Sequence, residues 1–225
     1  MAVAQEIPDI LEQGEIFLGL VDQTPIAAVL ERVVGPDVRC WQALARTLPA
    51  PVGREDDPLA KLGYSTWHRD SKMAPDSWPI PEGRVVKTFT YIHAVPEDGG
   101  CTTLVPRSHR LPGGPRETLA CRFAGAAHDF GLAAAGAAEQ GEVEPLDAAL
   151  MPNQLPLAVP AGVTMMFDVS VWHTALPNLS RVDRSSVILY YDARRTPTAA
   201  FAQSVDRLEA FGRLDRPRLR KMLAL

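Results

Sequence analysis

The sequence predicts a mainly β protein with flanking helices, a β-sandwich or jelly roll, and three observations carry that expectation. Short runs rich in β-branched and aromatic residues recur between Gly- and Pro-bearing turns, at residues 84–95, 101–105, 155–159, 163–168 and 185–192. Those runs do not alternate with helices in a βαβ pattern. Helical periodicity is confined to the flanks, at 24–34 and within 201–225.

Taken in order, the first helix is signalled by Thr24 as N-cap and Pro25 as first helical residue. Ile26, Ala27, Leu30 and Val33/Val34 fall on one face of it. Residues 38–44 suit a strand or a helical turn, and 49–58 reads as a polar, proline-bearing loop. The clearest strand is 84–95, RVVKTFTYIHAV, which stops at the turn sequence PEDGG. A two-residue period puts Lys87, Phe89, Tyr91 and His93 on one face and Thr88, Thr90 and Ile92 on the other. Another short strand, 101–105, closes at Pro106. Residues 112–148 change character to Ala- and Gly-rich sequence with scattered charges, which is read as a partly helical insertion or lid at about 110–150. One or two helices, interrupted near Asp215-Arg-Pro, end the chain at about 200–225.

At 225 residues, 46% hydrophobic and 22% charged, the composition is that of one globular domain spanning 1–225. Acids at Glu6, Asp9, Glu12 and Glu15 with no basic stretch before them argue against a secretory signal, and no apolar run approaches a membrane span. Cys40, Cys101 and Cys121 are odd in number and lack CxxC spacing, which speaks against a disulfide framework or a structural zinc site and sets a reducing cytoplasm as the expected location. A net charge of −4 supplies no basic field for nucleic acid; the cationic cluster at 212–221 is read as a solvated helix face. The expected partner is therefore a small molecule, with the protein a monomer or homodimer and neither nucleic acid nor membrane involved.

Chemistry enters at His68-Arg69-Asp70. Residues i and i+2 of an extended segment point the same way, so both side chains reach one metal ion. Alone, this pair is as well explained by a surface hydrogen bond. It gains meaning from His173, which lies 105 residues further on at the end of a turn and an apolar strand. Two histidines and a carboxylate make the facial triad of non-haem iron(II) oxygenases, leaving open positions for a chelating 2-oxo acid and dioxygen. Arg184 follows His173 by 11 residues. A planar, permanently charged guanidinium suits the distal carboxylate of 2-oxoglutarate. Ser186, on the same face of the strand that Arg184 enters, is placed to add a hydrogen bond.

Together these residues resemble the phytanoyl-CoA dioxygenase family of iron(II)/2-oxoglutarate oxygenases. The resemblance covers roughly 36–195 and runs through His68-x-Asp70, the stretch EDGGCTTLVPRSH at 97–109, Gly162 to Trp172-His173, Pro177-Asn178-x-Ser180 and Arg184. It implies a double-stranded β-helix of jelly-roll, cupin-like form. It also implies His68, Asp70 and His173 as catalytic iron ligands, and Arg184 as the 2-oxoglutarate clamp. Arg107 stands where the family's Pro-Gly-Ser-His stretch has glycine, which leaves that turn's geometry open. Asp70 occupies the carboxylate position, which disfavours a halogenase. The expected activity is hydroxylation, or desaturation or cyclisation, of a small molecule, with succinate and carbon dioxide released, plausibly in secondary-metabolite biosynthesis. A cupin-like metal isomerase or hydrolase shares the triad but gives no reason for Arg184; a non-enzymatic binding β-sandwich makes the triad coincidence.

Several residues have two readings. Lys87, on the inward face of its strand, pairs with either the co-substrate carboxylate or an acidic neighbour, because an unpaired buried charge is prohibitively costly. Thr102 and Thr103 offer hydroxyls near the 2-oxo acid, although strand propensity also explains them. Trp67, His93 and Trp172 are either substrate contacts or packing groups. His109 is read as ordering its loop. Asn178-Leu-Ser180 matches a glycosylation acceptor, which is discounted for want of any sign of secretion.

Overall fold

The computed structural model describes residues 4–52, 85–110, 153–193 and 216–223. Two antiparallel sheets form its body. The larger has the order β1-β2-β8-β3-β6, built from β1 (Gln5–Pro8), β2 (Arg39–Leu48), β8 (Arg184–Asp192), β3 (Val86–Tyr91) and β6 (Thr164–Asp168). The smaller has the order β5-β4-β7, from β5 (Leu155–Pro156), β4 (Thr102–Leu104) and β7 (His173–Ala175). This is the jelly-roll architecture expected, with neighbours in space that are distant in sequence, such as β2 beside β8 and β4 beside β7.

The central strands of the larger sheet are buried on both faces, which is why β8 reads as an almost unbroken apolar run rather than an alternating one. On one face Ala43, Val86, Val187, Leu189 and Tyr191 pack under Leu18 of α1 (Glu15–Val21), Leu30 of α2 (Thr24–Val33) and Leu219 of α3 (Pro217–Leu223). On the other, Leu44, Phe89, Tyr91, Phe167, Ile188 and Tyr190 meet Val95, Cys101 and Val169 in the space between the sheets. A bulge between Cys40 and Gln42 switches which way β2 points, so that Cys40 joins the helical side and Leu44 the inner side. Asp22 holds α3 against the end of α1 through an ion pair with Arg216 at 2.8 Å, and Tyr191 Oη donates to the Val21 carbonyl at 3.2 Å.

Some boundaries differ from those the sequence suggested. The 38–44 segment is a strand and continues to Leu48, because it lies between two partners, β1 and β8, that supply hydrogen bonds along its length. Helix α2 starts at Thr24 itself, with Gln23 in the cap position and no side-chain cap bond. The 84–95 strand is only Val86–Tyr91. Beyond it Gly162 N donates to the Tyr91 carbonyl and Val95 forms an isolated bridge with Val159, so the chain bends away over residues 92–94. The N-terminal strand β1 and helix α1 carry too short a pattern to have been read from the sequence. The proposed insertion at 110–150 and most of 200–225 lie outside the described residues.

Candidate active site

Strand β7 opens with His173, only 2% exposed, and its place is fixed from three directions. Leu104 of β4 is its cross-strand partner. Before it, Asp168 Oδ1 accepts from the Ser170 amide at 2.9 Å and from the Ser170 hydroxyl, and Val171 N closes a turn onto the Asp168 carbonyl at 2.9 Å. Finally, Trp172 N donates to Ser108 Oγ at 2.8 Å while its carbonyl accepts from Val105 N at 2.9 Å. The imidazole bonds through Nδ1 to the Val171 carbonyl at 2.8 Å. A carbonyl only accepts, so Nδ1 carries the proton and Nε2 the lone pair, the tautomer that a metal-ligating histidine of this orientation needs. The ring sits edge-on to Phe167 at 4.9 Å between centroids, which places it in the space between the sheets.

At the start of β8, 11 residues on, Arg184 is 3% exposed and donates from Nη1 to the Gly100 carbonyl. The loop between them is held by Asn178, whose amide donates to the carbonyls of Leu48 (3.1 Å) and Val182 (2.9 Å) and whose Oδ1 accepts from Ser180 N and Oγ. Buried and with its polar atoms so used, Asn178 is a loop lock and not an accessible glycan acceptor. Gly100 has φ +72, and a Cβ there would lie 2.7 Å from Leu48 and 3.0 Å from the Leu176 carbonyl. That glycine brings a backbone carbonyl to the guanidinium where no larger residue fits.

Ser186 follows on the same face of β8, fully buried, and its Oγ has no hydrogen-bond partner among the described residues. Thr102 is buried and bonded to the Tyr91 hydroxyl at 2.7 Å. Lys87, 1% exposed, carries its ammonium 4.9 Å from the Phe89 centroid, 5.0 Å from Tyr190 and 6.0 Å from Phe167. These cation–π contacts partly offset the cost of placing a charge inside the sandwich. Phe167 thus touches both His173 and Lys87, putting the two in one interior space.

His93 does not share that space. Since β3 ends at Tyr91, the alternation that would have turned His93 inward is broken, and the residue is exposed. Trp172 is buried, its backbone tied to Ser108 and Val105. His109 is half-buried, its Nδ1 enclosed and without a partner among the described residues. Trp67, His68 and Asp70 lie outside the described residues, and among those described no cluster of three metal-ligating side chains occurs. What sequence reasoning missed is the role of Tyr91, whose hydroxyl reaches the other sheet. Its place on the inward face of a strand was visible; its partner was not.

The donor set present here suits the group that the motif implies: a buried imidazole with Nε2 as the lone-pair atom, in one compartment with a buried arginine and serine that suit an anion. Comparison with known proteins decides the family. The sequence profile of phytanoyl-CoA dioxygenase (PhyH) matches residues 11–186. The chain belongs to the PhyH family. PhyH enzymes are non-haem iron(II)- and 2-oxoglutarate-dependent oxygenases that use dioxygen. No curated protein matches it by sequence.

Solved structures agree on the fold. One is the non-haem alpha-ketoglutarate-dependent epimerase SnoN from nogalamycin biosynthesis, at TM-score 0.55 and 18% identity over 84% of this chain and 63% of that one. Another is HygX from Streptomyces hygroscopicus with nickel and 2-oxoglutarate bound, at TM-score 0.57 and 16% identity over 87% of this chain and 70% of that one. EvdMO1 matches at TM-score 0.51 and 18% identity, over 83% of this PhyH chain but 35% of its own. The PhyH chain therefore spans less than two thirds of SnoN and about a third of EvdMO1. Among the described residues, no helix is long and apolar enough to cross a membrane.

Proposed function

We propose that this protein oxidises a small organic molecule, hydroxylation being the expected outcome, with iron held by His68, Asp70 and His173 and 2-oxoglutarate held at its distal carboxylate by Arg184 and Ser186. Bound iron(II), with 2-oxoglutarate and dioxygen, supplies an oxidant able to attack a C–H bond, releasing succinate and carbon dioxide. The chain's own work is ligation, orientation and exclusion of water. His173 offers Nε2 because Nδ1 is committed to the Val171 carbonyl. Lys87 and Thr102, in the same interior, complete the polar surround of the 2-oxo acid in this reading, and Trp67 and Trp172, each directly before a proposed ligand histidine in the sequence, are its candidate substrate contacts.

The observation that carries the proposal is the buried Arg184, locked to the Gly100 carbonyl beside a buried Ser186 hydroxyl. A buried planar guanidinium beside a buried hydroxyl suits the distal carboxylate of a 2-oxo acid. A metal isomerase or hydrolase gives no reason for it. A small-molecule substrate and a biosynthetic role draw support from the nogalamycin RO and hygromycin B named with the bound forms of SnoN and HygX. A cytoplasmic setting draws support from the thiols of Cys40 and Cys101, both buried and unbridged.

Anaerobic addition of iron(II) and 2-oxoglutarate tests the proposal. A visible metal-to-ligand charge-transfer band is expected, together with succinate release in air from a panel of amino acids, peptides, polyketides and terpenoids. Absence of the band removes the reading.

A further inference from the structure

Tyr91 is the direct cross-strand neighbour of Ser186, with β3 and β8 paired so that both side chains enter the space between the sheets. Side chains so opposed have Cβ atoms about 5 Å apart. From this position the phenol reaches Thr102 on the smaller sheet, with the two hydroxyls 2.7 Å apart. The Arg184 charge is felt there as well: burial pushes the Tyr91 phenol above its ordinary range, and the guanidinium and the Thr102 bond pull the other way. Four groups therefore converge from three strands, Arg184 and Ser186 from β8, Tyr91 from β3 and Thr102 from β4.

Counting donors shows what this cluster lacks. A carboxylate offers about four lone-pair sites. Arg184 commits Nη1 to the Gly100 carbonyl, so its fork does not serve an anion with every N–H. Ser186 Oγ, with no partner among the described residues, is a second donor, and a buried hydroxyl left so costs about 1–3 kcal/mol until something accepts from it. In the Tyr91–Thr102 pair one hydroxyl donates to the other. If Thr102 donates, the phenol accepts, and its own proton is left for another acceptor.

We propose that the Tyr91 hydroxyl donates a hydrogen bond to the distal carboxylate of 2-oxoglutarate, alongside Arg184 and Ser186, with Thr102 as the positioning residue that orients it. This rests on the cofactor assignment above and adds a co-substrate-binding residue to it. It also moves Thr102 from direct contact to support.

The test compares two 2-oxo acids on the full chain loaded anaerobically with iron(II): 2-oxoglutarate, and 2-oxobutyrate, which chelates alike but has no distal carboxylate. Their dissociation constants are read from the charge-transfer band. Tyr91→Phe removes only the hydroxyl, and 2-oxoglutarate binding is expected to weaken about 10-fold or more, the effect of a hydrogen bond to a charged group. Binding of 2-oxobutyrate stays as in the parent protein. Thr102→Val, which spares the phenol and its packing, shows the same selective loss at smaller size and serves if Tyr91→Phe folds poorly. Unchanged 2-oxoglutarate affinity in both variants overturns the proposal, as does equal weakening of both acids, which would report general distortion. A parent protein that binds neither acid overturns the cofactor assignment and this inference with it; a parent that binds both leaves the two separately decidable.

Discussion

The Trp172 amide donates to Ser108 Oγ at 2.8 Å, a bond that ties two segments 64 residues apart at the position just before His173. Ser108 is completely buried. Its hydroxyl gives a backbone N–H, stranded between strands, the acceptor it would otherwise lack.

Ser108→Ala should therefore cost about 1–3 kcal/mol of folding stability, the penalty of a buried amide left unsatisfied. Because the same amide precedes His173, the proposed iron ligand, iron(II) affinity should fall as well. Urea denaturation and anaerobic iron titration check the two effects, and a variant that loses stability while binding iron normally would separate the turn from the metal site.

Arg107, the residue before Ser108, has φ +66. For a side chain other than glycine this costs about 1–2 kcal/mol, while glycine gives back about 0.5–1 kcal/mol in unfolded-state entropy. Arg107→Gly should thus stabilise the protein by about 0.5–1 kcal/mol, raising Tm by roughly 2 °C for a chain of this size. A lowered Tm would show that the exposed arginine makes a contact worth more than the strain.

Part of the candidate site was readable in the sequence because its logic is local. Strand periodicity turned Lys87 and Tyr91 inward, and both are buried, as are His173 at the start of β7 and Arg184 at the start of β8; the i, i+2 pair at His68 and Asp70 lies outside the described residues. Arg107 illustrates the limit of a resemblance: arginine stands where the family has glycine, and it takes a left-handed conformation, φ +66, at a cost in strain. The overrun of the expected strand past Tyr91 to residue 95, and with it the misplacement of His93, came from composition that stays strand-like after the ladder ends. Contacts such as Tyr91 with Thr102, or Asn178 with Leu48, join residues whose meeting is set by the closure of two sheets. No window of sequence contains them.

Burial pushes the Cys40 thiol up to about 12. The folded state thus keeps its proton while an unfolded chain, with an ordinary thiol near pH ~8.5, has released it. The contribution is fully present below the unfolded value and is lost as pH rises toward the folded one. Stability from this group should fall by about 1.4 kcal/mol per pH unit above pH ~9. Denaturation at several values between pH ~8 and ~11 should show a shallower decline in Cys40→Ala than in the parent, with Tyr91 contributing equally to both and Tyr191, whose phenol the Cys40 charge also raises, adding to the difference. Identical slopes would mean that the thiol is not enclosed.

Gly100 couples the fold to the proposed 2-oxoglutarate site through its carbonyl, which accepts from Arg184. Alanine there places a Cβ 2.7 Å from Leu48 and 3.0 Å from the Leu176 carbonyl, in a backbone conformation, φ +72, that alanine resists. The carbonyl that receives Arg184 Nη1 must then shift. Gly100→Ala should destabilise the protein by about 1–3 kcal/mol, as overpacking does. It should also weaken 2-oxoglutarate more than 2-oxobutyrate, since only the former has a carboxylate to reach Arg184. Arg184→Lys, which keeps the charge but not the planar fork, should reproduce the selective loss without the instability. If Gly100→Ala loses stability yet binds both acids as the parent does, the Gly100 carbonyl supports the turn but does not set the guanidinium.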